Sequence, residues 1–137
     1  MRQEVNPEEQ LRVIDGAPVL GKAASAGERW LGAASVAALF AGLVATSTSD
    51  VSTLVDCCVL LAALTLILRW RWFHLRAPRR RPHTKAEERV AFFAPVALAA
   101  PASTMLGNSA TDLTAAFVMT AIPSAVLAGY LVLRWRR

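Results

Sequence analysis

The chain has 137 residues, enough for one domain, and 55% of them are hydrophobic, more than a globular core of that size needs. The excess apolar surface must face lipid, which excludes an ordinary soluble domain. The net charge of +5 arises from 15 Lys and Arg residues confined to three stretches: the segment up to Arg29, the block from Arg69 to Arg89, and the tail from Arg134.

Lys and Arg that flank apolar segments resist translocation and collect in cytoplasmic connections. Three basic stretches on one side require an even number of crossings, with both termini and the central loop cytoplasmic. The expected location is the cell (inner) membrane, as a multi-pass protein. The expected fold is an all-α integral membrane protein with four transmembrane helices in two tandem hairpins, preceded by a short amphipathic helix.

The N-terminal region, 1–24, opens with a helix start at Asn6, Pro7, Glu8 and Glu9, in which Asn caps the helix and Pro takes its first position. Leu11 and Ile14 form a narrow apolar stripe, and Asp15-Gly16 ends it. A helix this short is not stable alone in water. Docking on the basic central loop is the expectation, because its acidic first turn disfavours anionic lipid. A Gly/Pro/Ala linker follows over 16–24. No apolar run precedes Trp30, so no cleavable signal peptide is expected there.

Residues 25–137 form the transmembrane domain, with hairpins 25–73 and 84–137 joined by the basic loop 74–83. Ser25 with Glu28 and Thr84 with Glu87 read as capping boxes, each opening a helix that enters a span. The apolar segments are Trp30 to Thr46, Val51 to Leu68, Val90 to Leu106 and Leu113 to Leu133. A crossing takes ~20 residues, within a range of about 17–25. Glu28-Arg29 recurs as Glu88-Arg89, Ser47-Thr48-Ser49-Asp50 as Ser109-Ala110-Thr111-Asp112, and Arg69-Trp70-Arg71 as Arg134-Trp135-Arg136. Three landmarks in one order imply an internal repeat of one helical hairpin. Two spans per copy give both copies one orientation, about an axis along the membrane normal.

Small residues recur every fourth position: Ala34, Ala38 and Gly42, then Ala33, Ala37, Ala41 and Ala45, in the first span, and Ala121, Ala125 and Gly129 in the fourth. Such stripes let helix backbones approach, so these are the expected helix-packing residues. The Leu-rich second span, from Leu60 to Leu68, is read as lipid-facing. Pro95, Pro101 and Pro123 are expected to bend the second hairpin and free carbonyls for hydroxyls such as Ser103 and Thr120. Trp30, Trp70, Trp72, Phe73 and Trp135 adjoin the charged stretches, where rings anchor at headgroup level; a ligand cage is the sharper, less favoured reading.

Asp56 is the only ionisable residue well inside a span and the candidate for ion coupling. Its bland reading is a carboxylate bonded to Ser52, Thr53 or a hydroxyl of the Thr46 to Ser49 turn. Asp50 and Asp112 are read as helix-start carboxylates, and Cys57 and Cys58 as buried fillers. His74 and His83, read as loop residues, lie far from the cysteines, so no metal site is proposed, and no cofactor. Arg76, Arg79, Arg80, Arg81 and Lys85 form the contact for anionic headgroups or a partner. Nucleic acid is disfavoured, because the loop has no fold to present a groove-reading element. No nucleophile, phosphate loop or paired carboxylates point to an enzyme.

The opening Asn6-Pro7-Glu8-Glu9-Gln10-Leu11, the Ile14-Asp15 pair and the four spans resemble uncharacterised small membrane proteins of high-GC actinobacteria. The resemblance covers the layout of the whole chain and implies an accessory or regulatory role beside cytoplasmic transcriptional regulators, without an active site. The leading expectation is a non-enzymatic accessory, assembly or regulatory component that associates with itself or another membrane protein. The alternative is a small transporter or pore, including a holin-like one, coupled through Asp56. The size resembles that of small multidrug-resistance exporters, but the first span has no central Glu and the charge bias excludes dual topology.

Overall fold

A computed structural model describes residues 24–76, 84–107 and 112–136. The segment expected to form an N-terminal amphipathic helix, Arg79, Arg80 and Arg81, and most of the turn before Asp112 lie outside these. The described residues form α1 (Ala26–Thr48), α2 (Thr53–Arg76), α3 (Lys85–Ala97), α4 (Ala99–Met105) and α5 (Leu113–Trp135), with no strand among them. The architecture is all-helical. Among the described residues three helices, α1, α2 and α5, are long and apolar enough to cross a membrane.

Ser25 starts α1 by accepting from the Glu28 N–H at 3.2 Å, and an Ala-rich sequence propagates it. At its far end Thr46, Ser47, Thr48 and Ser49 donate their hydroxyls to carbonyls of the last turns of α1. The polar ends of the helix are thus satisfied internally, as an apolar surrounding demands. The capping box of α3 is complete: Thr84 Oγ1 accepts from Glu87 N at 3.4 Å, and Glu87 Oε2 accepts from Thr84 N at 3.1 Å.

The segment read as one bent span from Val90 to Leu106 is two helices divided at Leu98. Pro101 lacks the N–H that the Ala97 carbonyl needs, and its ring crowds that carbonyl. At the break the Leu98 N–H reaches the Pro95 and Val96 carbonyls instead of that of Ala94. Pro123 has no such effect, and α5 runs through it as one helix with the ring buried. The hydroxyls expected to relieve the prolines serve other carbonyls: Ser103 donates to Ala100, and Thr120 to Ala116 and Phe117. Asp50 also departs from expectation, because α2 starts at Thr53, and Asp112 caps α5 without a side-chain hydrogen bond.

α5 lies at the centre, packed on α1, α3 and α4. Its buried face, with Ala116, Thr120, Ser124, Leu127, Tyr130 and Leu131, meets Leu39 and Leu43 of α1 and Ala91 and Ala94 of α3. α2 joins the core through Ala63, Ile67 and Trp70, at the three- and four-residue spacing of one helix face. Leu60, Leu64 and Leu66 pack against this core while Leu61 and Leu68 are exposed, so α2 is only partly lipid-facing.

Gly32 carries the closest approach. A Cβ there would stand 2.8 Å from Trp135 Cη2 and 3.2 Å from Leu131 Cδ1, so the indole lies over bare backbone. Gly32→Val should cost about 1–3 kcal/mol by overpacking, read by thermal unfolding in detergent. In a Trp135→Ala background the cost should shrink; an equal cost in both backgrounds would assign it to something other than this contact.

Candidate functional site

Two carboxylate–base pairs define the end of the bundle where the basic residues lie. The Glu28 Oε1 of α1 is 3.2 Å from Nε2 of His74 in the last turn of α2. Arg134, in the last turn of α5, donates through a guanidinium nitrogen to Oε2 of Glu87 in the first turn of α3 at 3.3 Å. In each pair the acid is the third helical residue after a hydroxyl cap, and the base lies 46 or 47 residues further along. All four side chains are at least nine-tenths buried. An ion pair such as Glu87 with Arg134, withdrawn from water in this way, needs both its opposite charge and hydrogen bonds.

His74 was expected in the loop and is instead buried inside α2, which continues through Arg76. It shares the inward face with Trp70, four residues earlier, and stacks on that ring at 5.7 Å. Phe73 and Tyr130 meet it edge-on, both at 5.5 Å. The imidazole itself fills the space between these rings. Trp70 is therefore a core residue rather than a headgroup anchor, and Trp135 lies against Gly32. Trp30, Trp72 and Phe73 are exposed as anchors should be, and the Arg76 guanidinium sits 3.9 Å above the Trp72 ring.

Asp56 occupies the opposite end of the same inward face of α2, being in phase with Ala63, Ile67, Trp70 and His74. Eighteen residues separate it from His74, a rise of ~27 Å, about the thickness of the hydrocarbon core. It is 6% exposed, and its Oδ1 has no hydrogen-bond partner among the described residues. Of the hydroxyls expected to bind it, those of Thr46, Ser47, Thr48 and Ser49 are turned to α1 carbonyls. Cys57 and Cys58, expected to be buried, are exposed, because they follow Asp56 around the helix to its outer side.

The small-residue stripes do not line the interior of this chain. Ala34, Ala38, Gly42, Ala121 and Ala125 are exposed, Gly129 is half-buried, and a Cβ on Gly42 or Gly129 would meet nothing within 4 Å. Helical geometry gives the reason: the stripe on α1 lies roughly 80–160° around the axis from the face carrying Gly32, Leu39 and Leu43. Lys85 is exposed at the start of α3 and Arg76 at the end of α2. Among the described residues, no three His, Cys, Asp or Glu side chains gather into a metal-binding group.

Comparison with known proteins finds no matching family model, curated protein or solved structure. The functional reading therefore rests on the geometry of the chain. Charge alone places His74 in the loop and Arg134 in a basic tail, which hides their pairing with Glu28 and Glu87. The signal was present: Trp70 and His74 are four residues apart, and both capping glutamates were legible.

Arg134→Met should lower stability by about 1.5–3 kcal/mol, the range for a hydrogen bond to a charged group, measured by unfolding in detergent. Glu87→Gln in the same chain should abolish most of that effect. A full additive loss in the double variant would show that the two side chains are not coupled.

Proposed function

We propose that this chain is a non-enzymatic, four-span component of the cell membrane that assembles with itself or with another membrane protein through its exposed small-residue faces. The observation that carries the reading is that Ala34, Ala38 and Gly42 are exposed and Gly42 has open space above its Cα. Between helices in lipid there is no hydrophobic driving force, and close packing at small residues supplies the attraction instead. A stripe unused inside the monomer is available to a neighbour.

The fourth crossing in this proposal is α3 with α4. Together they span residues 85–105, a rise of ~31 Å if the two pieces continue one another. Both termini and the basic loop then face the cytoplasm, where the 15 Lys and Arg belong. The two-hairpin repeat is supported by the matched pairs Glu28 with His74 and Glu87 with Arg134. The resemblance to small actinobacterial membrane proteins agrees with an accessory or regulatory role. The anionic-headgroup contact by Arg76, Arg79, Arg80, Arg81 and Lys85 belongs to the same proposal.

A small transporter or pore is the second reading, favoured by one observation: a buried carboxylate oxygen at Asp56 without a partner among the described residues. Against it, Ala63, Ile67 and Trp70 occupy the inward face between Asp56 and His74, and none of them relays a proton.

Ala38→Leu with Gly42→Leu should leave thermal stability within about 0.5 kcal/mol, as for surface substitutions, while crosslinking in membranes and mass in detergent show loss of the dimer or of a stoichiometric partner. Unchanged assembly would overturn the proposal. Asp56→Asn should leave proton- or cation-linked flux in proteoliposomes at its starting level; abolished flux with intact assembly would establish the transport reading instead.

A further inference from the structure

At the basic end, α2 and α3 leave between them a cleft of about 540 Å³. Arg71 enters it from α2, and Lys85 and Arg89 from α3, with Glu88 as the one carboxylate among the lining residues. None of these three cations forms an ion pair or side-chain hydrogen bond with a described residue. The cleft therefore carries an uncompensated positive charge, three cations against one acid. Its remaining lining is apolar, chiefly Leu75, Phe92 and Phe93, and the two phenyl groups are 61% and 58% exposed.

Arg71 stands five residues before the end of α2 and Arg89 four residues into α3, so both lie ~6–8 Å inside the helix ends. In a chain that crosses a membrane, this is the level of lipid phosphates, with acyl chains below. Arg guanidinium groups present paired donors suited to phosphate oxygens, and basic pockets between spans on the cytoplasmic side suit anionic head groups. A soluble phosphate would use the cations but not the two exposed rings beside them.

We propose that the cleft between α2 and α3 binds one anionic phospholipid, its phosphate held by Arg71, Lys85 and Arg89 and its acyl chains laid along Leu75, Phe92 and Phe93. This site rests on the membrane reading above but is separate from the assembly faces on α1 and α5.

The test is native mass spectrometry of the full chain in detergent, offered phosphatidylglycerol, phosphatidylcholine or inorganic phosphate. Phosphatidylglycerol should form a one-to-one adduct that phosphatidylcholine does not match. Arg71→Gln with Arg89→Gln should weaken it about 30-fold, and either substitution alone about fivefold, from the usual contribution of a juxtamembrane cation. The single variants carry the prediction if the double variant does not fold. Arg71→Lys with Arg89→Lys should retain most of the affinity, and Arg29→Gln with Arg136→Gln all of it. Equal binding of the two lipids, an equal loss in the Arg29/Arg136 variant, or displacement of the lipid by inorganic phosphate would overturn the site. None of these outcomes would touch the membrane reading, which fails only if the chain stays in solution without detergent.

Discussion

Close approach of α5 to α1 and α3 is the constraint on which the rest of the structure depends. It is possible because the contact positions are small: Gly32 on α1, Ala91 and Ala94 on α3, and Ala116 on α5. With backbones this near, Leu39, Leu43, Leu127 and Leu131 interdigitate and are almost wholly buried. Dispersion and shape, rather than escape from water, hold such a contact together in lipid. α2 is the outlier, touching this unit along a single face and presenting much of its surface outward.

The two ends of α2 meet different conditions. At the basic end, His74 has Glu28 and three aromatic rings around it, and Glu87 has Arg134 and its own helix cap. At the other end Asp56 faces inward with far less to meet it. Polar side chains deeper in the bundle are quiet: Thr120 and Ser124 return their hydroxyls to carbonyls of their own helix. The interior thus separates into a polar, cross-linked end and a middle whose hydroxyls turn back on their own helix, an arrangement suited to holding helices in register.

Much of this was legible from residue order. The apolar runs gave α1, α2 and α5 nearly whole, and the cap signals at Ser25 and Thr84 located two helix starts. The inward position of Asp56 shows only once contacts place Ala63 and Ile67, with which it is in phase, in the core of a span that its leucines mark as lipid-facing. Other features depend on contacts that spacing does not encode. In α1 almost every fourth residue is small, so periodicity alone cannot say which arc faces inward; the positions of Leu39 and Leu43 against α5 decide it. Trp70 and Trp135 share the composition of headgroup anchors, yet Trp70 stacks on His74, which itself meets Tyr130 of α5, and Trp135 lies on Gly32 of α1, so contacts from distant parts of the chain draw them inside. The basic block after Arg69 resembles a loop by charge, while its first turns continue the helix as far as Arg76.

The interruption at Leu98 has a mechanical consequence. A continuous helix resists bending because every turn is tied to the next; α1 and α2 hold no interior proline, and α5 stays one helix although Pro123 removes a single rung. Between α3 and α4 the ladder is broken, leaving a compliant joint beside a stiff three-helix frame. When bilayer thickness changes, a spanning element answers by tilting or kinking. If α3 with α4 forms the fourth crossing proposed above, that deformation falls at Leu98 rather than within the three longer helices.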